Sequence, residues 1–240
     1  AIELERNSYR GGRNECFRIG NVEGTVHCLD FNSLYPSVMV TFDFPTRLRK
    51  YYSHMNAELL KALLSAGLVI LDASFIIHEP ALAVKGTKLL FPIGHIRQTL
   101  TSPEIEYVLA HGHFTEYHRA ALYEGHPIFR DYVNWFYSQR QDFKQQGNET
   151  GQIASKYLLN ALYGKFGQKA HSAKVVGKCA PSEFRVENCM DKQTGKRFTL
   201  KYFGGEITKS CSTARESPNS FPAIASFVTA YARMKLWDAM

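Results

Sequence analysis

The sequence predicts an α+β fold in which an antiparallel sheet packs with helices and is extended by a hairpin of two long helices. Three observations support this fold class. A run of apolar and β-branched residues at 68–77 is typical of a strand. Helical patterns cover about 127–146 and 150–166, and Gly147-Asn148 separates them. Residues 168–210 are rich in Lys, Gly and Thr with short β-like runs, which predicts a small β-rich insert.

The composition is that of a globular protein with a basic surface. The 240 residues are 45% hydrophobic, which is enough for a sizeable core, and the formal net charge of +7 favours a polyanionic partner. The five cysteines include no Cys-x-x-Cys pair, which argues against a disulfide framework. The N-terminus lacks the apolar run of a signal peptide, and the longest apolar stretch, 67–77, is too short to cross a bilayer. We therefore expect a soluble, intracellular protein without a membrane partner.

The first 40 residues predict a loop and two short strands. Tyr9 to Gly12 is a loop signal, because its two glycines allow another backbone to approach closely. Cys16–Ile19 and Thr25–Phe31 are predicted as strands on either side of a turn, and the second strand leads into the carboxylate motif described below. Pro36 ends the ladder and allows a short helix directly after it.

Further elements follow from local patterns. Residues 53–66 have helical composition, and Lys85 to Pro92 resembles one arm of a hairpin. Ser102 is predicted as the N-cap of a helix that ends at Gly112, where a left-handed conformation would suit glycine. Pro222 is expected to open a final helix that continues to the end of the chain.

A motif suited to metal and nucleotide binding lies at residues 30–37, Asp-Phe-Asn-Ser-Leu-Tyr-Pro-Ser. A carboxylate between a strand and a tight turn suits Mg²⁺, so Asp30 and the Phe31 carbonyl are the predicted ligands. The turn at 32–35 offers successive backbone N–H groups to phosphate, and the Tyr35 ring would leave no space for a 2′-hydroxyl. A lone Asp at a strand end would usually be an ordinary solvated carboxylate, but the complete eight-residue string favours the functional interpretation.

A second constellation comprises Lys156, Asn160 and Tyr163, which spacings of four and three place on one helical face. Such a face presents a cation to phosphate, an amide to a base or backbone, and an aromatic platform to a base pair. Gly164 would allow a duplex to approach closely. The preceding helix adds two cations one turn apart, Arg140 and Lys144. Without the first motif, these residues would be interpreted as an ordinary basic surface.

Together these strings resemble the family B DNA polymerases. Asp30 to Ser37 resembles their first polymerase motif, Lys156 to Gly164 their second, and Tyr9 to Gly12 the loop between the proofreading exonuclease and the polymerase domain. The resemblance covers nearly the whole chain and is most similar to the protein-primed branch. It implies a partial polymerase palm that carries a two-helix fingers hairpin.

The resemblance implies a role for each matched residue. Asp30 corresponds to the first metal-binding aspartate, Tyr35 to the gate that selects deoxyribose, and Lys156 to the phosphate-contacting lysine, and these are the expected catalytic residues. Nucleotide contacts are also implied for Phe31, Asn32, Ser33, Leu34, Arg140, Lys144 and Asn160. DNA contacts are implied for Tyr9, Arg10, Gly11, Gly12, Tyr163, Gly164 and Arg233.

The resemblance also divides the chain into five segments. These are an N-terminal palm part at 1–79, a first terminal-protein-region insert at 80–125, the fingers helices at 126–167, a second, thumb-side insert at 168–215, and a palm helix at 216–240. The family's third motif, Tyr-x-Asp-Thr-Asp-Ser, does not occur in this sequence. We therefore expect an internal piece of a longer polymerase, with a two-metal magnesium site whose second aspartate lies outside this chain.

The expected function is template-directed addition of deoxynucleoside triphosphates to a primer, in protein-primed replication. The expected partners are template and primer DNA, deoxynucleoside triphosphates and a terminal priming protein. One alternative is a non-catalytic module derived from such a polymerase, which binds DNA or the terminal protein. Another is a metal-dependent hydrolase that matches the motif by chance, but no second clustered carboxylate favours it.

Overall fold

The structure is a computed structural model that describes residues 1–86 and 88–240, without the side chains of residues 171 and 212–214. The chain divides into two units by its internal contacts. Unit 1 comprises Ala1–Gly167 and Phe221–Met240, and unit 2 comprises Gln168–Ser220. Both contain antiparallel sheets, and unit 1 also contains the helices, so the predicted α+β class is confirmed.

The helices of the described residues are α1 (Ile2–Ser8), α2 (Leu34–Thr41), α3 (Ala57–Ala66), α4 (Ser102–His111), α5 (Arg130–Gln145), α6 (Glu149–Phe166) and α7 (Pro222–Asp238). The strands of unit 1 are β1 (Phe44–Tyr52), β2 (Leu68–Ile77), β3 (Val84–Lys85), β4 (Leu89–Leu90), β5 (Gly94–Thr101) and β6 (Gly112–His126). The strands of unit 2 are β7 (Lys169–Lys178), β8 (Arg185–Met190), β9 (Arg197–Phe203) and β10 (Glu206–Glu216).

The main sheet of unit 1 is antiparallel, in the order β1-β6-β2-β5. Strand β2 has the bounds predicted from its β-branched run and is buried along almost its whole length, as expected of a strand with neighbours on both sides. Alternate residues of β2 face two cores. Val69, Leu71 and Phe75 belong to a core that includes α3 and α4, whereas Ile70 belongs to a second core.

Helix α7 lies at the centre of unit 1. Every residue from Pro222 to Met234 is buried except Tyr231. A helix that is buried on all sides must be apolar or small around its whole circumference, which explains its run of Ala, Phe, Val and Met residues. Its polar residues are internally satisfied, since Thr229 donates to the Ala225 carbonyl and Ser226 donates to the Ser8 hydroxyl.

A buried charge cluster joins α7 to α4 and to the loop after α1. The Glu104 carboxylate is fully buried, and Arg233 donates to its Oε1 over 2.8 Å while Arg10 Nη1 lies 3.7 Å from the same atom. Burial alone would raise the pKa of Glu104, but the guanidinium groups of Arg233 and Arg10, with hydrogen bonds, hold it below its usual value. The same burial lowers the pKa of Arg10 to about 10, so it remains protonated at neutral pH.

The strands predicted at 16–19 and 25–31 are wrong. Residues 9–32 contain no helix or strand, and the apolar side chains there are largely exposed, with Ile19 94% and Leu29 93% accessible. A strand requires a backbone partner for its N–H and C=O groups. None of the described strands pairs with this stretch, so its β-branched residues alone do not produce a ladder.

Helix boundaries differ in two informative places. The N-cap of α4 is Thr101 rather than Ser102, because Glu104 accepts from the Thr101 N–H and closes a capping box. Gly112 follows α4 as predicted, but its φ of −152° is extended rather than left-handed. A β-carbon at Gly112 would collide with the Ile76 carbonyl, so close packing of β6 on β2 explains this glycine. Helix α2 begins at Leu34, before Pro36 rather than after it.

The predicted inserts have different relationships to the sheet. The boundary predicted between residues 79 and 80 separates β2 from β5 and β6, yet both of these strands pair with β2. Residues on either side of that boundary therefore share one sheet. Strands β3 and β4 pair where the hairpin arm was predicted at 85–92, with residue 87 outside the described part.

Unit 2 is an antiparallel sheet in the order β7-β10-β9-β8. The turn predicted at Gly204-Gly205 joins β9 to β10, and both glycines have positive φ, at 60° and 85°. The predicted β-rich insert at 168–215 falls within this unit. Among the described residues, none of the helices of either unit has the length and apolar character that a membrane span requires.

We expect Glu104→Gln to lower the free energy of unfolding by about 3–5 kcal/mol, because it leaves two buried guanidinium groups without a counter-charge. Urea denaturation at neutral pH measures the change. The matched control is Glu116→Gln on the exposed part of β6, where the side chain is 65% accessible. Equal stability losses in the two variants would contradict the central role of Glu104.

The same carboxylate should confer acid sensitivity. Its pKa is lower in the folded state than the unfolded value of about 4.3, so the unfolded state binds the proton first as the pH falls. Its stabilisation is therefore present above that pH and is lost progressively below it. The Gln variant should lack this part of the acid dependence, as unfolding free energies measured between pH 3 and 6 would show.

Candidate nucleotide-binding site

The turn before α2 is held in an unusual conformation. Ser33 has φ 56° and ψ 50°, and it is the one non-glycine residue with positive φ among those the structure describes. Such a conformation costs an L-residue about 1–2 kcal/mol and persists where the surroundings enforce it. Here the Ser33 carbonyl accepts from the Ser37 N–H over 2.9 Å, which fixes the first turn of the helix.

A pocket of about 410 Å³ opens beside this turn, between residues 30–34 and the two long helices α5 and α6. A volume of this size is within the range that small-molecule sites occupy. Nine residues predicted to bind metal or nucleotide line it: Asp30, Phe31, Asn32, Ser33, Leu34, Arg140, Lys144, Lys156 and Asn160. The structure therefore brings together residues that are up to 130 positions apart in the sequence.

Two lining residues were missed by the sequence prediction. Tyr137 and Gln141 lie on α5 at helical spacing from Arg140 and Lys144, and they complete the stripe of α5 that faces the pocket. The spacing 137, 140, 141 and 144 could have identified them. Lys235 of α7 was also missed, and its ammonium group donates to Ser37 of α2 over 3.1 Å.

The hairpin of α5 and α6 positions the cations of the pocket. Gly147 has φ 69° and allows the tight connection, and Asn148 caps α6 by accepting from the Gly151 N–H. A β-carbon at Gly151 would lie 2.6 Å from the Phe143 ring, so this glycine allows the helices to pack closely. Because both helices are rigid, the cations that they carry have fixed relative positions.

The charges of the pocket suit an anionic ligand that brings its own metal. Arg140, Lys144 and Lys156 face one carboxylate, Asp30, among the described residues that line it. The first N–H groups of α2 also lack intrahelical acceptors, and the helix dipole favours an anion at this end. Three cations and a helix N-terminus can bind the phosphates of a nucleotide through charge-assisted hydrogen bonds.

A metal at this site would have Asp30 and the Phe31 carbonyl as its protein ligands. Nowhere in the described part of the chain do three or more His, Cys, Asp or Glu side chains gather as a metal cluster. Magnesium needs few protein carboxylates, since phosphate oxygens and water complete its coordination. An exposed aspartate beside a phosphate-binding wall therefore fits as one ligand of such an ion.

Tyr35 lies beside the pocket and is not among its lining residues. Its ring stacks on that of Tyr163, with centroids 4.5 Å apart and an interplanar angle of 26°. Burial raises the pKa of Tyr163, and the neighbouring Tyr35 raises it further. The stack fixes the ring of Tyr35, and its role as a sugar gate stays a prediction.

The loop predicted to contact DNA lies directly against this stack. A β-carbon at Gly12 would approach the Tyr35 hydroxyl to 2.5 Å, so glycine is required there. Tyr9 packs on Gly167, and burial raises the pKa of the Tyr9 hydroxyl. Gly164 has open space around it, as a surface that a duplex approaches would need.

Two side chains predicted to bind DNA are instead buried. Arg10 and Arg233 are 4% and 1% accessible, and both engage the Glu104 cluster. Arg233 also donates to the carbonyl of Gly11 over 2.7 Å and to that of Arg10 over 3.1 Å. Direct DNA contact by these guanidinium groups was a wrong prediction, because the buried carboxylate draws them inside, where they hold the loop.

Comparison with known proteins follows the same lines. The chain matches the family model described as "DNA polymerase type B, organellar and viral" over residues 5–237. It is 28% identical to a probable DNA polymerase of Neurospora intermedia, over 67% of this chain and 17% of that protein. It is 27% identical to a probable DNA polymerase of Ascobolus immersus, over 68% of this chain and 14% of that one.

Solved structures show the fold relationship. The chain superimposes on Phi29 DNA polymerase complexed with primer-template DNA and incoming nucleotide substrates, with a TM-score of 0.61 and 20% identity, over 99% of this chain and 40% of that one. The complex of Phi29 DNA polymerase with single-stranded DNA gives a TM-score of 0.57 at 19% identity, over 97% and 38% of the chains. The chain thus spans less than a fifth of the curated relatives and about two fifths of these structures.

We expect Gly12→Ala to lower the free energy of unfolding by about 1–3 kcal/mol through its clash with the stacked Tyr35 hydroxyl. In a Tyr35→Phe background the cost should largely vanish, because the next ring atom lies 3.8 Å from the added carbon. Urea unfolding of the four proteins completes a double-mutant cycle. Gly11→Ala, which meets no atom within 4 Å, is the control. An unchanged cost without the hydroxyl would contradict this contact.

Proposed function

The chain belongs to the organellar and viral type B DNA polymerases, and from this premise we propose that it forms part of the active site of a DNA-directed DNA polymerase. The proposed reaction is template-directed addition of deoxynucleoside triphosphates to a primer. Unit 1 contributes the nucleotide pocket, with Asp30, Tyr35 and Lys156 as the catalytic residues. The observation that carries the proposal is the convergence of two distant motifs on a single pocket.

The cations have separate tasks in this proposal. Lys156 binds the phosphates of the incoming nucleotide, and Arg140 and Lys144 bind the same triphosphate from α5, because all three line one wall of the pocket. Asn160 is fixed by its donation to the Lys156 carbonyl over 3.0 Å, and it supports the nascent base pair. The backbone of 31–34 supplies N–H groups from the opposite side.

We propose that magnesium binds at Asp30 and the Phe31 carbonyl, and that a second aspartate elsewhere in the whole protein completes a two-metal site. When bound, such ions stabilise the attacking and leaving oxygens of a nucleotidyl transfer. The residues of this chain hold the triphosphate in line and balance its charge.

The proposed partners are template and primer DNA, deoxynucleoside triphosphates and a terminal priming protein. The titles of the similar structures describe Phi29 DNA polymerase with primer-template DNA, nucleotide substrates and single-stranded DNA, and the shared fold supports the same ligands here. The Tyr9 to Gly12 loop, Tyr163 and Gly164 form the proposed DNA-facing surface. Residues 80–125 and 168–215 stand as proposed terminal-protein and DNA-holding segments, by their position after the two motifs.

We expect Lys156→Ala to weaken dATP binding by about 10- to 100-fold, because one charge-assisted phosphate contact is lost. Isothermal titration calorimetry on residues 1–240 in magnesium buffer measures the dissociation constant. Lys165→Ala is the matched control, since it removes an exposed lysine from the same helix outside the pocket. Equal affinity of the two variants would refute the assignment of the pocket.

We expect magnesium to increase the affinity of the chain for dATP, and Asp30→Asn to remove most of that increase, because an amide is a poor ligand for Mg²⁺. Titrations with magnesium and with EDTA give the ratio of dissociation constants for each protein. Asp43→Asn, an exposed aspartate nearby in sequence that does not line the pocket, is the control. A magnesium effect of the same size in Asp30→Asn would remove Asp30 from the metal site.

A further inference from the structure

A second basic pocket lies in unit 1, on the polar face of the main sheet. Its volume is about 450 Å³, and none of its lining residues belongs to the nucleotide pocket. Its charged residues come from the N-terminal segment and from four strands: Arg6, Arg10, Asp72, Lys85, Arg97 and Arg119. The proposed nucleotide chemistry uses none of these side chains.

The positive charge of this pocket is only partly balanced. Among its described lining residues, five cations face a single carboxylate, Asp72. Arg97 and Arg119 share that carboxylate from opposite neighbouring strands, at 3.3 Å and 3.2 Å, and Arg119 also contacts Glu3. Because one carboxylate serves two guanidinium groups, the pocket keeps donors and positive charge for an external anion.

A buried donor at the pocket has no acceptor within the described residues. Arg10 is fixed by donation to the carbonyls of Ser8 and Thr99, yet its Nε finds none there. The amide of Gln98 is held by the Ala83 carbonyl, and its Oε1 also has no described partner. Buried polar groups usually have a partner, so these atoms indicate a ligand or ordered water in this pocket.

We propose that this pocket binds a backbone phosphate of a nucleic-acid strand, at a position distinct from the nucleotide pocket. The cations lie on separate elements along an open face, so a polyanion can contact several of them at once and release bound counterions. A water on the phosphate would supply the donor that Gln98 requires. The choice of a nucleic acid over free phosphate rests on the proposed polymerase function.

The experiment compares single-stranded DNA binding by residues 1–240 and by Arg97→Gln, whose side chain is 60% accessible. The matched control is Arg49→Gln, because Arg49 is 50% accessible, pairs with one carboxylate, lies in the same sheet and is outside this pocket. Lys85→Gln is a second exposed test variant that does not depend on the Asp72 pair. The probe is a fluorescent oligodeoxythymidylate of about 12 nucleotides, measured by anisotropy at several salt concentrations.

We expect Arg97→Gln and Lys85→Gln to weaken binding about three- to tenfold and to reduce the salt slope by about 0.7 each, with Arg49→Gln like the wild type. Unchanged affinity and slope in both test variants would overturn the inference. Loss of inorganic phosphate binding with unchanged oligonucleotide binding would overturn the nucleic-acid assignment.

The outcomes also separate this inference from the proposed function. A wild-type chain that does not bind the oligonucleotide would overturn the phosphate site, whereas dATP binding that depends on Lys156 would still support the polymerase site. Conversely, a wild-type chain that binds the oligonucleotide through Arg97 but does not bind dATP would support this pocket and refute the nucleotide site.

Discussion

The buried carboxylate of Glu104 is the constraint on which unit 1 depends. One oxygen accepts from the Thr101 N–H and closes the first turn of α4, and the other accepts from Arg233 of α7. Arg233 in turn holds the carbonyls of Arg10 and Gly11. A buried ion pair tolerates little displacement, because any shift leaves a charge uncompensated in a medium of low polarity. The cluster therefore fixes α4, α7 and the loop relative to one another.

This constraint reaches the nucleotide pocket through α7 and the loop. Phe42, which follows α2, stacks on Tyr231 of α7 with centroids 3.9 Å apart, and Lys235 of α7 donates to Ser37 of α2. Gly12 meanwhile supports Tyr35 from the loop. Helix α2 is thus held from two sides, and its rigid placement is what allows Ser33 to keep a left-handed conformation at the pocket wall.

Local patterns in the sequence predicted the parts of the fold whose causes are local. The bounds of β2, the Asn148 break and the Gly204-Gly205 turn each follow from residues within one element. Strands β1 and β6 were missed, because β1 is an edge strand with charged residues and both are fixed by pairing across about 75 residues. The burial of Arg233 was also beyond local reasoning, since its partner Glu104 is 129 positions away. The pocket residues were found because both motifs are complete strings.

The placement of charges suggests that nucleotide binding and catalysis depend on different kinds of structure. Arg140, Lys144 and Lys156 lie on two rigid helices that pack through Phe143 and Gly151, so the cationic wall exists before a ligand arrives. Asp30, by contrast, is exposed on a segment without helix or strand. Its carboxylate gains a fixed position only from the metal and phosphates that it binds. Phosphate recognition is therefore built into the fold of this chain, whereas the metal geometry that turnover needs is completed by what binds beside Asp30.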